Sequence, residues 1–182
     1  MKTRINPQIV ITIDIHSNII IPIVVRDCFL NVLEMTHIGG IAKDYTVRKC
    51  LINKIDELIQ KYNPDTILIE SNKLFIDKID RHPDPLVLRN ICRGFGLQTS
   101  IDDKYHNDIA NIIALPNYEW HKAVLGNSMR YSFDLYKAHI KEQHFSVDEF
   151  STIDKYNYYQ VLCLSESVQY EHLMNKKYLL NR

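Results

Sequence analysis

Residues 9–15 read IVITIDI, an almost unbroken β-branched run that carries one acid, Asp14. A strand of that composition is covered on both faces, as in the middle of an α/β sheet. A carboxylate inside it must be paired, protonated or bound to a cation, because an unpaired buried charge is strongly disfavoured. A second apolar run, 19–27, follows after only His16, Ser17 and Asn18. A connection that short favours an antiparallel hairpin. A third run, 29–37, precedes Gly39 and Gly40 and completes three consecutive antiparallel strands.

The pattern then changes period. Residues 44–62 place Val47, Cys50, Leu51, Ile55, Leu58 and Ile59 at spacings of three and four, which predicts an amphipathic helix. Asn63, Pro64 and Asp65 end it. Residues 66–70, TILIE, form a short buried strand that finishes on Glu70. A helix followed by such a strand is a parallel crossover. If that strand lies beside the first, Asp14 and Glu70 stand next to each other. Residues 86–102 read as a helix weakened by Gly94 and Gly96. Residues 107–115 read as a helix end running into a fifth strand, 112–115, closed by Pro116. A short helix at 120–125 stops at Gly126, and 129–143 and 154–170 are the last two helices. The expectation is one α/β domain over residues 1–182. Its five-stranded mixed sheet has three antiparallel strands, then two parallel ones, flanked by helices.

Composition narrows the function classes. The chain has 182 residues, 46% hydrophobic and 24% charged, an ordinary globular balance with enough length for a core. Cys28, Cys50, Cys92 and Cys163 form no C-x-x-C pair and read as buried thiols of a reducing compartment. No apolar run approaches the roughly 20 residues that span a bilayer, and residues 1–8 lack the apolar core of a signal peptide. An intracellular protein with no membrane partner is expected. The formal net charge is zero, which argues against nucleic-acid binding unless a basic face is offset by an acidic site.

Two adjacent carboxylates repel each other, and a hard divalent cation such as Mg²⁺ or Mn²⁺ resolves the conflict. Asp154 and Asn157 are three residues apart and share a face of the last helix. An acid in the first turn suits the helix dipole. Tyr158, Val161, Leu162 and Leu164 would press that helix onto the sheet and aim Asp154 at the strand ends. Each acid also has an ordinary reading: Asp14 as a turn residue, Glu70 as a salt-bridge partner, Asp154 as an N-cap.

Four stretches together resemble a family: ITIDIHS around Asp14, NPDTILIE around Glu70, LPNYEWHKAVLG at 115–126, and DKYN at 154–157 before a long helix. Over about residues 8–170 the sequence resembles the RuvC-type Holliday junction resolvases (crossover junction endodeoxyribonucleases) of the ribonuclease H-like superfamily. The resemblance implies a ribonuclease H-like fold and a four-carboxylate site binding two Mg²⁺ ions, with Mn²⁺ able to substitute. Asp14, Glu70 and Asp154 match three of the four positions. Asn157 stands where the family carries the fourth Asp, so it would serve as a neutral ligand unless Asp148 or Glu149 compensates. The glycine that usually follows the first Asp is also missing, and His16 stands in that region. Lys122 matches a family lysine near the scissile phosphate, and Phe75 lies where the family often carries an aromatic wedge.

The implied function is metal-dependent hydrolysis of four-way DNA junctions in paired cuts. That implies a two-fold homodimer, with the helix from Leu86 as the candidate interface. Lys73, Arg81, Arg89, Arg93, Arg130, Lys137 and Lys141 are candidate phosphate contacts beside Phe75, or else a solvated surface. The rival readings are a nuclease of RNA–DNA hybrids or flaps and a catalytically inactive branched-DNA-binding module. Asn157 and the zero net charge favour the latter. An ATP-dependent actin-like relative is disfavoured by only 5 glycines and no glycine-rich phosphate loop.

Overall fold

The structure, a computed structural model, describes residues 8–15, 20–39, 44–71, 85–126, 133–141 and 152–174. Five strands form one sheet: β1 (Ile9–Ile13), β2 (Ile20–Asp27), β3 (Val32–Gly39), β4 (Thr66–Ser71) and β5 (Asn111–Pro116), in the order β3-β2-β1-β4-β5. β1–β2 and β2–β3 pair antiparallel, and β1–β4 and β4–β5 pair parallel, which is the mixed sheet of a ribonuclease H-like fold.

Strand side chains alternate between two cores. Ile11, Ile13, Ile23, Ile67 and Ile69 face one way, against helices α1 (Asp44–Tyr62) and α2 (Pro85–Tyr105). Val10, Val24, Leu68, Ile113 and Leu115 face the other way. There they meet α3 (Asn117–Leu125), α4 (Phe133–Lys141), α5 (Thr152–Ser165) and the short α6 (Glu171–Met174). The continuous apolar runs in β1 and β4 follow from this, since both faces are covered.

α1 spans the predicted residues. Val47, Leu51, Ile55 and Leu58 are its buried stripe, whereas Cys50 is exposed. It ends at Asn63, whose φ of 47° is left-handed and whose N–H donates to the Ile59 carbonyl at 2.9 Å. α2 runs unbroken through Gly94 and Gly96 to Tyr105. Burying Leu97, Ile101 and Tyr105 outweighs the roughly 1 kcal/mol that each helical glycine costs.

The structure corrects several expectations. The third strand begins at Val32, because Phe29 and Leu30 belong to a turn built on Asp27. The Asp27 carboxylate accepts from the backbone N–H groups of Phe29 and Asn31, each at 2.9 Å, and Leu30 takes a φ of 65°. Phe29 is left 81% exposed. Residues 107–110 are turn and bend, not a helix end. The long terminal helix stops at Ser165, and a 3₁₀ turn (Glu166–Gln169) follows. Three of the four cysteines expected to be buried are exposed, and only Cys163 is in the core. Among the described residues no helix is long and apolar enough to cross a membrane.

Candidate active site

The β1–β4 register pairs Ile13 with Ile69, so the next residues, Asp14 and Glu70, leave neighbouring parallel strands at one level. Both fall on the sheet face that carries Val10 and Leu68, beneath α5. Both are 1% exposed. Asp14 keeps a tie to the sheet, its N–H donating to the Pro22 carbonyl at 3.3 Å.

Glu70 is held by neutral donors. Asn117 Nδ2 and Trp120 Nε1 both donate to Oε1, the latter at 3.3 Å. Gln160 Nε2 donates to Oε2 at 2.9 Å. Asn117 is placed by β5: the parallel register sets Pro116 beside Ser71, and α3 begins at the next residue. Gln160 is placed by α5, which packs across β1 and β2 and is also pinned to β3 by Tyr158 Oη, 2.8 Å from His37 Nδ1.

An aromatic layer closes the site. Trp120 stacks on Tyr136 with ring centroids 6.2 Å apart, and Tyr136 Oη lies 2.8 Å from His121 Nε2. Burial pushes the His121 imidazole down to about 4, against an opposing pull from Glu70. The Tyr156 phenol is raised by burial first, then by the charges of Asp14 and Glu70. One phenol therefore senses both carboxylates. The donors that reach Glu70 from Asn117, Trp120 and Gln160 are neutral N–H groups.

Asn157 is buried, 7% exposed, on α5 three residues before Gln160. Asp154 lies in the first turn of the same helix, but its side chain is outside the described residues. Lys122 is exposed on α3, about two-thirds of a turn or less from the inward-facing Trp120 and His121. Of the basic candidates, Arg93 on α2 and Lys137 on α4 are half-buried. Their helices pack on opposite faces of the sheet, so those two do not form one basic surface. Lys73, Phe75, Arg81 and Arg130 lie outside the described residues, as do Asp148, Glu149 and the side chains of Arg89 and Lys141. Among the described residues no three His, Cys, Asp or Glu side chains gather closely enough to hold a metal ion.

Sequence reading missed Asn117, Trp120, His121 and Gln160. The signals were the stretch LPNYEWHKAVLG, which holds Asn117, Trp120 and His121, and the spacing by which Gln160 continues the three-residue stripe of Asp154 and Asn157.

No protein-family model matches the chain, and no curated protein sequence matches it. Solved structures do. A Thermus thermophilus RuvC structure superposes with a TM-score of 0.59 at 8% identity, covering 90% of this chain and 96% of the other. T. thermophilus RuvC in complex with Holliday junction substrate gives a TM-score of 0.62 at 9% identity, covering 91% of this chain and 96% of the other. The chain has the RuvC fold. At such low identity the likeness is one of backbone arrangement alone.

Proposed function

We propose that this RuvC-fold chain is a metal-dependent endonuclease that resolves four-way DNA junctions. The observation that carries the reading is the buried pair Asp14 and Glu70, at the ends of adjacent parallel strands and on one face of the sheet. A divalent cation would neutralise two buried acids placed at one level of the sheet. The donor set is all oxygen, which suits Mg²⁺ or Mn²⁺. Asp14, Glu70 and Asp154 would be its anionic ligands and the Asn157 amide oxygen a neutral one. A divalent ion bound there supplies a nucleophilic water at neutral pH and charge stabilisation at the leaving oxygen.

The residues around the ion have their own tasks. Asn117, Trp120 and Gln160 hold the Glu70 carboxylate. Trp120, Tyr136 and Tyr158 exclude water from beneath it, being fully buried. Asn157 has no acidic proton to exchange and cannot serve as a base. Lys122, exposed near the site, would meet a backbone phosphate. One of the similar structures holds a Holliday junction, which supports branched DNA as the substrate class. Paired cuts on two symmetric strands call for a two-fold homodimer.

Asn157 supports a second reading, a catalytically silent junction-binding protein on the same fold. One experiment separates the two. A labelled four-way junction is incubated with Mg²⁺ or Mn²⁺ beside linear duplex and an RNA–DNA hybrid, with Asp14→Asn as control. Paired nicks in the junction alone, lost in the variant, are the expected result. Cleavage of the hybrid instead sinks the resolvase assignment, and binding without cleavage selects the silent protein.

A further inference from the structure

Glu166 opens the 3₁₀ turn after α5, and its side chain is buried. Oε2 has His139 Nε2 at 2.7 Å. Oε1 makes no hydrogen bond and has Arg26 Nη1 of β2 at 3.9 Å. Among the described residues, His139 therefore makes the one hydrogen bond of this carboxylate. A carboxylate only accepts, so His139 Nε2 is the donor. Losing that donor would leave a buried charge poorly satisfied, which holds the bond in place.

His139 lies on α4, three residues after Tyr136 and one before Ile140. Tyr136 and Ile140 are fully buried and form the apolar stripe by which this 9-residue helix docks. A helix so short is marginal by itself, and apolar contact is non-directional, so the stripe alone sets the roll of α4 only loosely. A hydrogen bond to an acid held in another element sets it closely. The turn that carries Glu166 also packs on α3, the helix of Trp120, so α3 and α4 share one anchor. Between them lies the stack of Tyr136 on Trp120, with planes 25° apart, and the Trp120 indole donates to Glu70. We propose that His139 is a positioning residue, whose hydrogen bond to Glu166 fixes the rotation of α4 and thereby sets Tyr136 against the indole that donates to Glu70. The consequence for cleavage rests on the nuclease reading above, whereas the consequence for Trp120 does not.

The test uses the full chain without DNA. The sequence has 1 tryptophan, so indole fluorescence reports on Trp120 alone. His139→Leu removes the N–H, and His139→Gln returns one at similar reach. His139→Leu is expected to shift the emission to the red and to raise quenching by acrylamide, as Tyr136 withdraws and water reaches the indole. His139→Gln is expected to restore both to wild-type values. Wild-type emission and quenching in His139→Leu overturn the inference, and so does an equal red shift in both variants. Where circular dichroism shows His139→Leu unfolded, His139→Ser, which admits water to Glu166, takes its place in the same comparison. Four-way junction cleavage is expected to fall about ten- to a hundredfold in His139→Leu and to recover in His139→Gln. A wild type that leaves the junction uncut sinks the nuclease reading, and the Trp120 signal still decides the role of His139.

Discussion

Asp14 follows Ile13, and Ile13 pairs with Ile69, the residue before Glu70, so the two carboxylates sit level on neighbouring strands and on one face. Each is 1% exposed. Two buried acids at one level are expected to cost the fold stability when no cation is bound. Asp14→Asn removes one charge and keeps the shape. In EDTA the variant is expected to be more stable than wild type by roughly 1–2 kcal/mol. Added Mn²⁺ should stabilise wild type and leave the variant nearly unchanged. Urea midpoints under the two conditions check this, and equal midpoints in EDTA contradict it.

What made this pair legible was composition. The runs in β1 and β4 are apolar on both faces, so a single acid in each stands out, and the α1 crossover between them forces a parallel neighbour. The partners of Glu70 were not legible, because Asn117 and Gln160 lie 47 and 90 positions away and meet it only through the packing of α3 and α5. The β2–β3 turn was misread for a local reason. Phe29 and Leu30 are apolar and extend the strand pattern, but hydrogen bonds from the Asp27 side chain override it. Asp27 and Asn31 were visible in the sequence, and an Asx turn between them would have ended the strand where the structure does.

His121 provides a pH test. Its imidazole is fully buried and its pKa is depressed from 6.5 to about 4 by burial. The unfolded chain takes up that proton near 6.5, while the folded chain stays neutral until about 4. The stability tied to neutral His121 is therefore complete above about 6.5 and drains away as pH falls from there toward 4. His121→Gln keeps a polar partner for Tyr136 and cannot titrate. Between pH 7.5 and 5, wild type is expected to lose about 2 kcal/mol more than the variant by urea denaturation. Parallel losses in the two proteins sink the assignment.

Arg26 and Glu166 test a different part of the core. Their closest atoms, Nη1 and Oε1, are 3.9 Å apart, with side chains 2% and 6% exposed. Glu166 also has His139 Nε2 at 2.7 Å from Oε2, whereas Arg26 Nε and Nη1 make no hydrogen bond. Removing the acid strands a buried guanidinium, and Glu166→Ala is expected to cost about 3–5 kcal/mol. Arg26→Met removes the poorly satisfied partner and leaves Glu166 with His139. It is expected to cost less than about 1 kcal/mol or to stabilise. Thermal unfolding of the two variants ranks them, and the reverse order would refute this account.

Asn157 is the residue at which the metal reading is most exposed to test. It is buried, on the same α5 face as Gln160, where the resemblance calls for an acid. Asn157→Asp adds a buried negative charge at nearly constant volume, three residues before Gln160, which donates to Glu70. Without metal a buried charge is costly, and the variant is expected to unfold at a lower urea concentration than wild type. With Mn²⁺ the same charge attracts the cation, and half-saturation is expected at about tenfold lower Mn²⁺, which corresponds to roughly 1.4 kcal/mol. The opposite signs matter more than the sizes. A charge that destabilised the chain equally with and without Mn²⁺ would lie outside the ion's reach, and Asn157 would then be a packing residue of α5 rather than a ligand.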